Sequence, residues 1–227
     1  MSQFRADEPT LDTIADVGVL IAVEGLDGAG KRTVVDGLVD RWTRAGHRVS
    51  TFAFPRYGES VTADLAAEAL HGGNGDLTDS VYGMAVLFAL DRAGAAAEIA
   101  AALTHSDVVL LDRYVASSAA YSAARLDEDP DGEVVSWVAD LEFHRLRLPV
   151  PDHQLLLDVD PQVAMGRASS RAANEADRPT DRYERDRGLQ ERTYARYRGL
   201  AEMSWMSPWS LIGDLADTET VDKLLLD

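Results

Sequence analysis

The sequence has 227 residues, 46% of them apolar and 27% charged, which fits one domain with a sizeable core and excludes wholesale disorder, a fibrous repeat or a mucin-like stalk. It has no cysteine, so a disulfide framework, a thiolate zinc site and a cysteine nucleophile are excluded. Acidic residues number 39 and basic residues 22, a formal charge of −17, which predicts repulsion from nucleic acid and from anionic lipid.

Residues 1–16 are polar and acidic and lack the basic start and apolar centre of a secretory signal. They read as an N-terminal extension ahead of a single domain over 17–227, and the protein reads as cytoplasmic. The longest apolar stretches, near 16–23 and 107–111, are far short of a membrane span. Residues 17–24, VGVLIAVE, predict a buried strand. GLDGAGK follows at once. Val34, Val35, Leu38, Val39 and Trp42 then recur at helical spacing, and Gly46 supplies a stop. A second strand at 48–54 completes a βαβ start.

Helical pattern returns over 60–71 and 79–103, with Thr78, Asp79 and Ser80 as candidate caps. DVVLL at 107–111 predicts another buried strand. Helices follow over 115–126 and 132–146, separated by the turn DEDPDG. The strand at 153–160 leads to Pro161 in the first turn of a helix, with Asp160 as its cap. Residues 169–182 read as an exposed, mobile polar loop. A helix over 184–203, a short strand at 209–214 and a closing helix at 218–226 complete the chain. No repeat or linker interrupts this order, which predicts an α/β domain with a parallel sheet and helices on both faces.

GLDGAGK, residues 25–31, matches G-x-x-x-x-G-K between a predicted strand and a predicted helix. Glycines let backbone N–H groups converge on phosphate oxygens, the helix N-terminus adds positive potential, and Lys31 can reach the β- and γ-phosphates. Arg32 stands where a Ser or Thr normally holds Mg²⁺, and Thr33 comes one residue late. Asp27 or Asp112 could carry more of the metal binding instead.

Further residues point to a second phosphate-bearing substrate. Arg56 follows the second strand and Asp112-Arg113 the third, both at carboxyl ends of parallel strands, where ligands bind. Phe88 and Arg92 share a helix face suited to stacking a base and donating to its carbonyl. Arg167, Arg171 and Arg178 lie in or beside the polar loop, where closing cations would stabilise a transferring phosphoryl group. Each has a plainer structural reading. Arg56 could be a surface arginine, Asp91-Arg92 a local ion pair, Phe88 core, and the arginine-rich loop a solubilising surface.

GLDGAGK, FPRYG (54–58), FALDRAG (88–94), DRYVASSAAYSAAR (112–125) and DRYERD (181–186) together closely resemble the thymidylate kinase family, in its actinobacterial, mycobacterial-like form. The similarity runs through nearly all of 18–213. It implies a P-loop nucleoside monophosphate kinase fold, with a five-stranded parallel sheet flanked by helices and a mobile lid over about 168–182. It also implies transfer of the γ-phosphoryl group of ATP to dTMP with Mg²⁺, in dTTP biosynthesis, by a homodimer.

By matching motifs, the resemblance implies that Gly25, Gly28, Ala29, Gly30, Lys31, Arg32, Thr33, Arg167 and Arg171 bind ATP. Asp27, Phe54, Arg56, Tyr57, Phe88, Arg92, Arg113, Ser118, Tyr121 and Tyr183 bind dTMP. Phe88 stacks under thymine, Arg92 reads its O4, and Tyr121 sits near the sugar C2′ and disfavours ribonucleotides. Asp27, Lys31, Arg113 and Arg171 are the implied catalytic residues, and Asp27, Asp112 and Glu184 the implied surroundings of the metal. Arg167, Arg171 and Arg178 match lid positions. Two departures stand out. Arg32 replaces the usual Thr, as in the mycobacterial-like form. Ser118 replaces an Asn of the closest form, keeping a donor and an acceptor with less reach, so that a water fills the gap. The residues leave open a small kinase for a different nucleoside monophosphate or a deoxynucleoside, or an interaction module that senses ATP without turnover.

Overall fold

The computed structural model describes residues 17–174, 181–213 and 219–222. The predicted extension at 1–16, Arg178 and the greater part of the closing helix lie outside them. Five strands, β1 (Val19–Glu24), β2 (Val49–Ala53), β3 (Val108–Asp112), β4 (His153–Leu157) and β5 (Trp209–Ile212), form one sheet of order β2-β3-β1-β4-β5. Every pairing is parallel. The parallel α/β architecture expected from the alternation of elements is therefore present, with the five strands that the resemblance implied.

The apolar runs of β1 and β3 are continuous because both faces of the sheet are covered. Leu20, Ala22, Val109 and Leu111 pack on one face. That face meets α3 (Val81–His105), α4 (Val115–Leu126), α5 (Glu133–Ala139) and α8 (Arg187–Glu202). Ile21, Val23, Val108 and Leu110 pack on the other. There α1 (Lys31–Arg44) contributes Val34, Val35, Leu38 and Trp42, each contributing on the order of 1.5–3 kcal/mol through burial. Trp42 Nε1 donates to Asp222 Oδ1 at 2.7 Å, tying the last described turn, α9 (Glu219–Asp222), to α1.

The remaining helices are α2 (Val61–Leu70), α6 (Pro161–Asn174) and α7 (Arg182–Arg185). Several boundaries differ from the sequence expectation. Helix α6 continues through Asn174, so the loop expected from 169 does not begin there. Ser170, one of the polar residues that suggested an end, is accommodated inside the helix by donating its Oγ to the Gly166 carbonyl at 2.9 Å. The helix expected over 132–146 divides into α5 and a π-helical turn over Asp140–Arg145. The helix expected over 184–203 divides at Asp186, whose side chain caps α8 by accepting from Leu189 N. Of the candidate caps near 78–80, Ser80 caps α3, whereas the Thr78 hydroxyl donates to the Ala69 carbonyl at 2.5 Å. Asp160 Oδ1 accepts from Gln162 N at 2.8 Å, as expected for a cap of α6.

Register brings Val23 and Ala53 level with Asp112. The ends of β1, β2 and β3 therefore open onto one edge. Strand order also reverses direction at β1, the place where α/β sheets leave a crevice.

Candidate active site

Residues 25–30 wrap from β1 into α1. Gly28 has φ 81° and Gly30, the residue before α1, has φ 101°. At Gly28 space is also closed, since a Cβ would stand 2.0 Å from the Ala164 carbonyl oxygen of α6. Gly28→Ala is thus expected to cost roughly 2–3 kcal/mol through strain and overpacking, read as a lower Tm in thermal denaturation. An unchanged Tm would mean that the loop does not sit this close to α6.

Lys31 begins α1 and is buried. Its Nζ donates to the carbonyls of Gly25 at 3.0 Å and Leu26 at 2.8 Å. Burial and the neighbouring Arg113 lower its pKa to about 8, against the partial opposition of Asp27, Asp112 and Glu24. Arg32 is the contrast: it is 88% exposed and pairs only loosely with Asp36, at 3.7 Å. Gly25 and Ala29 are loop residues on its core side and do not line the cleft described below. Gly25 holds Lys31 through its carbonyl, and Ala29 packs with Val34 and Leu157 in the core.

Opposite the loop, Arg113 follows β3 in a left-handed backbone conformation, φ 65°. Its Nη2 donates to Asp27 Oδ1 at 2.7 Å, and its Nη1 donates to Ser117 Oγ at 3.2 Å and to the Tyr197 hydroxyl at 3.5 Å. Burial would raise the Asp27 carboxyl. The charges of Arg113 and Lys31, with hydrogen bonds from Arg113 and Tyr121, outweigh it and hold Asp27 well below the usual carboxylate range. Behind this pair lies Glu24, the last residue of β1, with no exposed surface. It accepts from Tyr114 N, Ser117 Oγ and the Tyr197 hydroxyl at 2.8, 2.6 and 3.1 Å. The sequence reading passed over Glu24 and Tyr197; an acid ending an apolar strand directly before the loop was the available signal for the former.

Arg56 is fixed by Asp91. Its backbone N, Nε and Nη2 donate to Asp91 Oδ2, Oδ1 and carbonyl at 3.0, 2.9 and 2.7 Å. The local Asp91–Arg92 pair considered from sequence is therefore not formed. Arg92 instead makes a bidentate pair with Glu142, at 2.6 and 2.7 Å. Tyr121 donates to Asp27 Oδ2 at 3.2 Å, and its ring stacks on Tyr183 with centroids 5.9 Å apart. Arg125, another residue not singled out from sequence, donates to the Tyr183 hydroxyl at 2.5 Å and lies over its ring.

These groups line one cleft of about 1280 Å³. Pockets for one drug-sized ligand run to roughly 300–1,000 Å³, so the cleft is larger than a single such site usually needs. Phe54, Arg56, Tyr57, Phe88, Arg92, Ser118, Tyr121 and Tyr183 line it together with Asp27, Gly28, Gly30, Lys31, Arg32 and Thr33. Asp112, Arg113, Arg167, Arg171 and Glu184 also line it. Eight basic side chains face it against six acidic ones, although the whole chain is strongly acidic. Arg171 Nη2 donates to Glu184 Oε1 at 3.3 Å, and Glu184 completes a capping box with Asp181 at the start of α7. Ser118 is not an isolated base contact: its Oγ accepts from Arg92 Nη2 at 2.5 Å, so it serves the arginine directly.

Among the described residues no three carboxylates or imidazoles converge to form a preformed metal cage. Asp27, Asp112 and Glu184 thus do not make one together. Mg²⁺ is usually held by one or two carboxylates, waters and substrate phosphates, which an ionised Asp27 facing the cleft, with Asp112 lining it, can satisfy. No helix among the described residues is long and apolar enough to cross a membrane.

A lysine-bearing phosphate loop after the central strand of an all-parallel, five-stranded sheet, sharing one large cleft with a set of arginines, defines a P-loop nucleoside monophosphate kinase fold. Comparison with known proteins narrows the class. A family model described as thymidylate kinase matches residues 23–207, and the chain belongs to that family. Thymidylate kinase of Mycobacterium tuberculosis is 55% identical over 195 residues, covering 86% of this chain and 91% of the relative. Thymidylate kinase of Caulobacter vibrioides is 35% identical over 154 residues, covering 68% and 71%. That of Bifidobacterium longum is 34% identical over 152 residues, covering 66% and 71%.

Proposed function

We propose that this protein is a dTMP kinase of nucleotide biosynthesis, transferring the γ-phosphoryl group of ATP to dTMP. The observation that carries the reading is the single cleft in which Lys31 and its loop face Arg56, Arg92, Arg113 and the Tyr121–Tyr183 stack. An oxygen of the dTMP phosphate attacks the γ-phosphorus. The bond to the β–γ bridging oxygen breaks, and dTDP and ADP result. The attacking oxygen is already ionised, so no strong base is required and catalysis rests on positioning and charge stabilisation.

Lys31 and the loop N–H groups hold the donor phosphates. Arg56 and Arg113 hold the acceptor phosphate, pre-aimed by Asp91 and Asp27. Arg167 and Arg171, from the far turns of α6, stabilise the transferring group. Asp27 and Asp112 are the residues that would hold Mg²⁺, which neutralises phosphate charge when bound. Phe88 stacks on the base. Tyr121, fixed by Asp27 and Tyr183, walls the sugar and rejects a 2′-hydroxyl. The thymine methyl distinguishes dTMP from dUMP by only about 1–3 kcal/mol. The enzyme acts in the cytoplasm as a homodimer; exposed Val61, Leu65, Tyr82 and Leu90 on α2 and α3 support a second copy.

The test is a steady-state assay with ATP and Mg²⁺ that compares dTMP, dUMP, the ribose form of TMP, dGMP and thymidine as acceptors. A strong preference for dTMP with little hydrolysis in its absence is expected. Tight ATP binding with no acceptor turnover would favour a nucleotide sensor.

The depressed pKa of Lys31 sets a pH dependence. The phosphates need the charged amine, so kcat/KM for ATP is expected to fall about tenfold per pH unit above about pH 8. Stability responds with the opposite sign. The folded state binds less proton than the unfolded state between about 8 and the ordinary 10.5, so this group adds stability as pH rises through that window. A profile flat to pH 10 would place the amine elsewhere.

A further inference from the structure

Arg92 projects from the middle of α3 with 3% of its surface exposed, and its donors are divided between two tasks. Nε and Nη2 donate to the two oxygens of Glu142, and Nη2 also donates to Ser118 Oγ. Nη1 alone is left for the cleft that Arg92 lines. Glu142 does not line that cleft. It lies behind the guanidinium with no exposed surface, on the π-helical turn where Leu146 N reaches back to the Leu141 carbonyl. Such wide turns are rare and recur at functional sites.

Stability is a poor reason for this arrangement. A buried ion pair is often replaced by apolar side chains without loss, because desolvating both charges offsets their attraction. What the pair does provide is geometry: two parallel N–H···O bonds fix the guanidinium plane. We propose that Glu142 is a positioning and specificity-determining residue for the acceptor base, holding Arg92 so that Nη1 alone faces the base edge. An edge that only donates suits a keto oxygen, as on thymine, which accepts from it, and opposes the amino group that cytosine carries at the same place. Ser118 is the second tether of the same guanidinium, which gives that position a role besides touching the base. The inference rests on reading this side of the cleft as the nucleoside monophosphate site.

The experiment uses the full chain and Glu142→Gln, which keeps shape but sets an amide N–H₂ against the guanidinium. KM for dTMP is expected to rise roughly 10- to 100-fold, with kcat within about threefold of wild type and KM for ATP unchanged. The preference for dTMP over dCMP in kcat/KM should fall at least about tenfold, and Glu142→Asp, which retains the charge, should restore part of it. A folded Glu142→Gln enzyme with wild-type KM for dTMP and wild-type preference would overturn the proposal. So would an even loss across kcat and both KM values, the mark of a merely structural role.

A crystal structure of the wild type with dTMP decides the matter if neither variant folds. Nη1 on a keto oxygen with Glu142 still holding Nε and Nη2 supports it, and Arg92 released from Glu142 refutes it. A wild type that binds dTMP in this way but does not phosphorylate it defeats the kinase reading alone. A cleft empty at saturating dTMP defeats both.

Discussion

Lys31→Met should lower kcat/KM for ATP by roughly 10³-fold while leaving a folded protein. Methionine fills the same volume and cannot place a charge at the phosphates. Two contributions go at once: ground-state attraction for the triphosphate, and stabilisation of negative charge as the γ-phosphoryl group moves. The cleft makes the charge count, because a partly buried cation acts through less screening than one in water. Tm should hold or rise. Burial already disfavours this ammonium enough to bring its pKa to about 8, so removing it relieves a cost of folding. The Gly25 and Leu26 carbonyls lose a partner, which limits the gain. Kinetics over a range of ATP, beside a thermal melt, reads both. Activity within tenfold of wild type would show that another group anchors the phosphates.

Arg113→Met should reduce both activity and stability. The guanidinium joins Asp27 to Ser117 and Tyr197, which in turn close around buried Glu24. Removing it strands the Asp27 carboxylate, at a cost of about 3–5 kcal/mol, or roughly 10 °C in Tm. Activity should fall at least about 10²-fold, since the acceptor phosphate loses its grip and Asp27 its orientation.

The pH dependence of the stability loss has a definite sign. Asp27 is held well below its ordinary range, so its pairing stabilises the wild type above the unfolded carboxylate pKa near 3.9 and is lost as pH falls through the folded value. The gap between wild type and variant should therefore be widest near neutrality and narrow below about pH 4. Urea denaturation at several pH values measures it; a gap that widened in acid would contradict the assignment of the Asp27–Arg113 pair.

Local chemistry was legible in the sequence where the signal itself was local. Continuous apolar runs located the central strands, because a parallel strand covered on both faces needs apolar residues throughout. GLDGAGK located the phosphate loop, since its glycines answer to backbone conformations visible at Gly28 and Gly30. Boundaries were less legible. Ser169, Ser170 and Asn174 suggested a loop, but α6 runs through all three, with Ser170 Oγ donating back to the Gly166 carbonyl. Nothing in a regular 3.6-residue periodicity announces a π-helical turn at Asp140–Arg145.

Long-range pairing was the least legible. Arg92 and Asp91 are adjacent in sequence, yet Asp91 goes to Arg56 and Arg92 to Glu142, 50 residues on. Arg113 meets Asp27 across 86 residues and Glu24 meets Tyr197 across 173. Charge type identifies a candidate arginine, but only the packing of α3, α4 and α8 over the sheet decides which carboxylate it finds. The same limit applied to Ser118, whose neighbour proved to be Arg92.

The most direct measurement is phosphorus NMR of the purified protein with equimolar ATP and dTMP in Mg²⁺ buffer, following donor, acceptor and inorganic phosphate together. dTDP is expected to appear in step with ADP while inorganic phosphate stays at background. ADP accumulating with inorganic phosphate, and dTMP left unchanged, would contradict it.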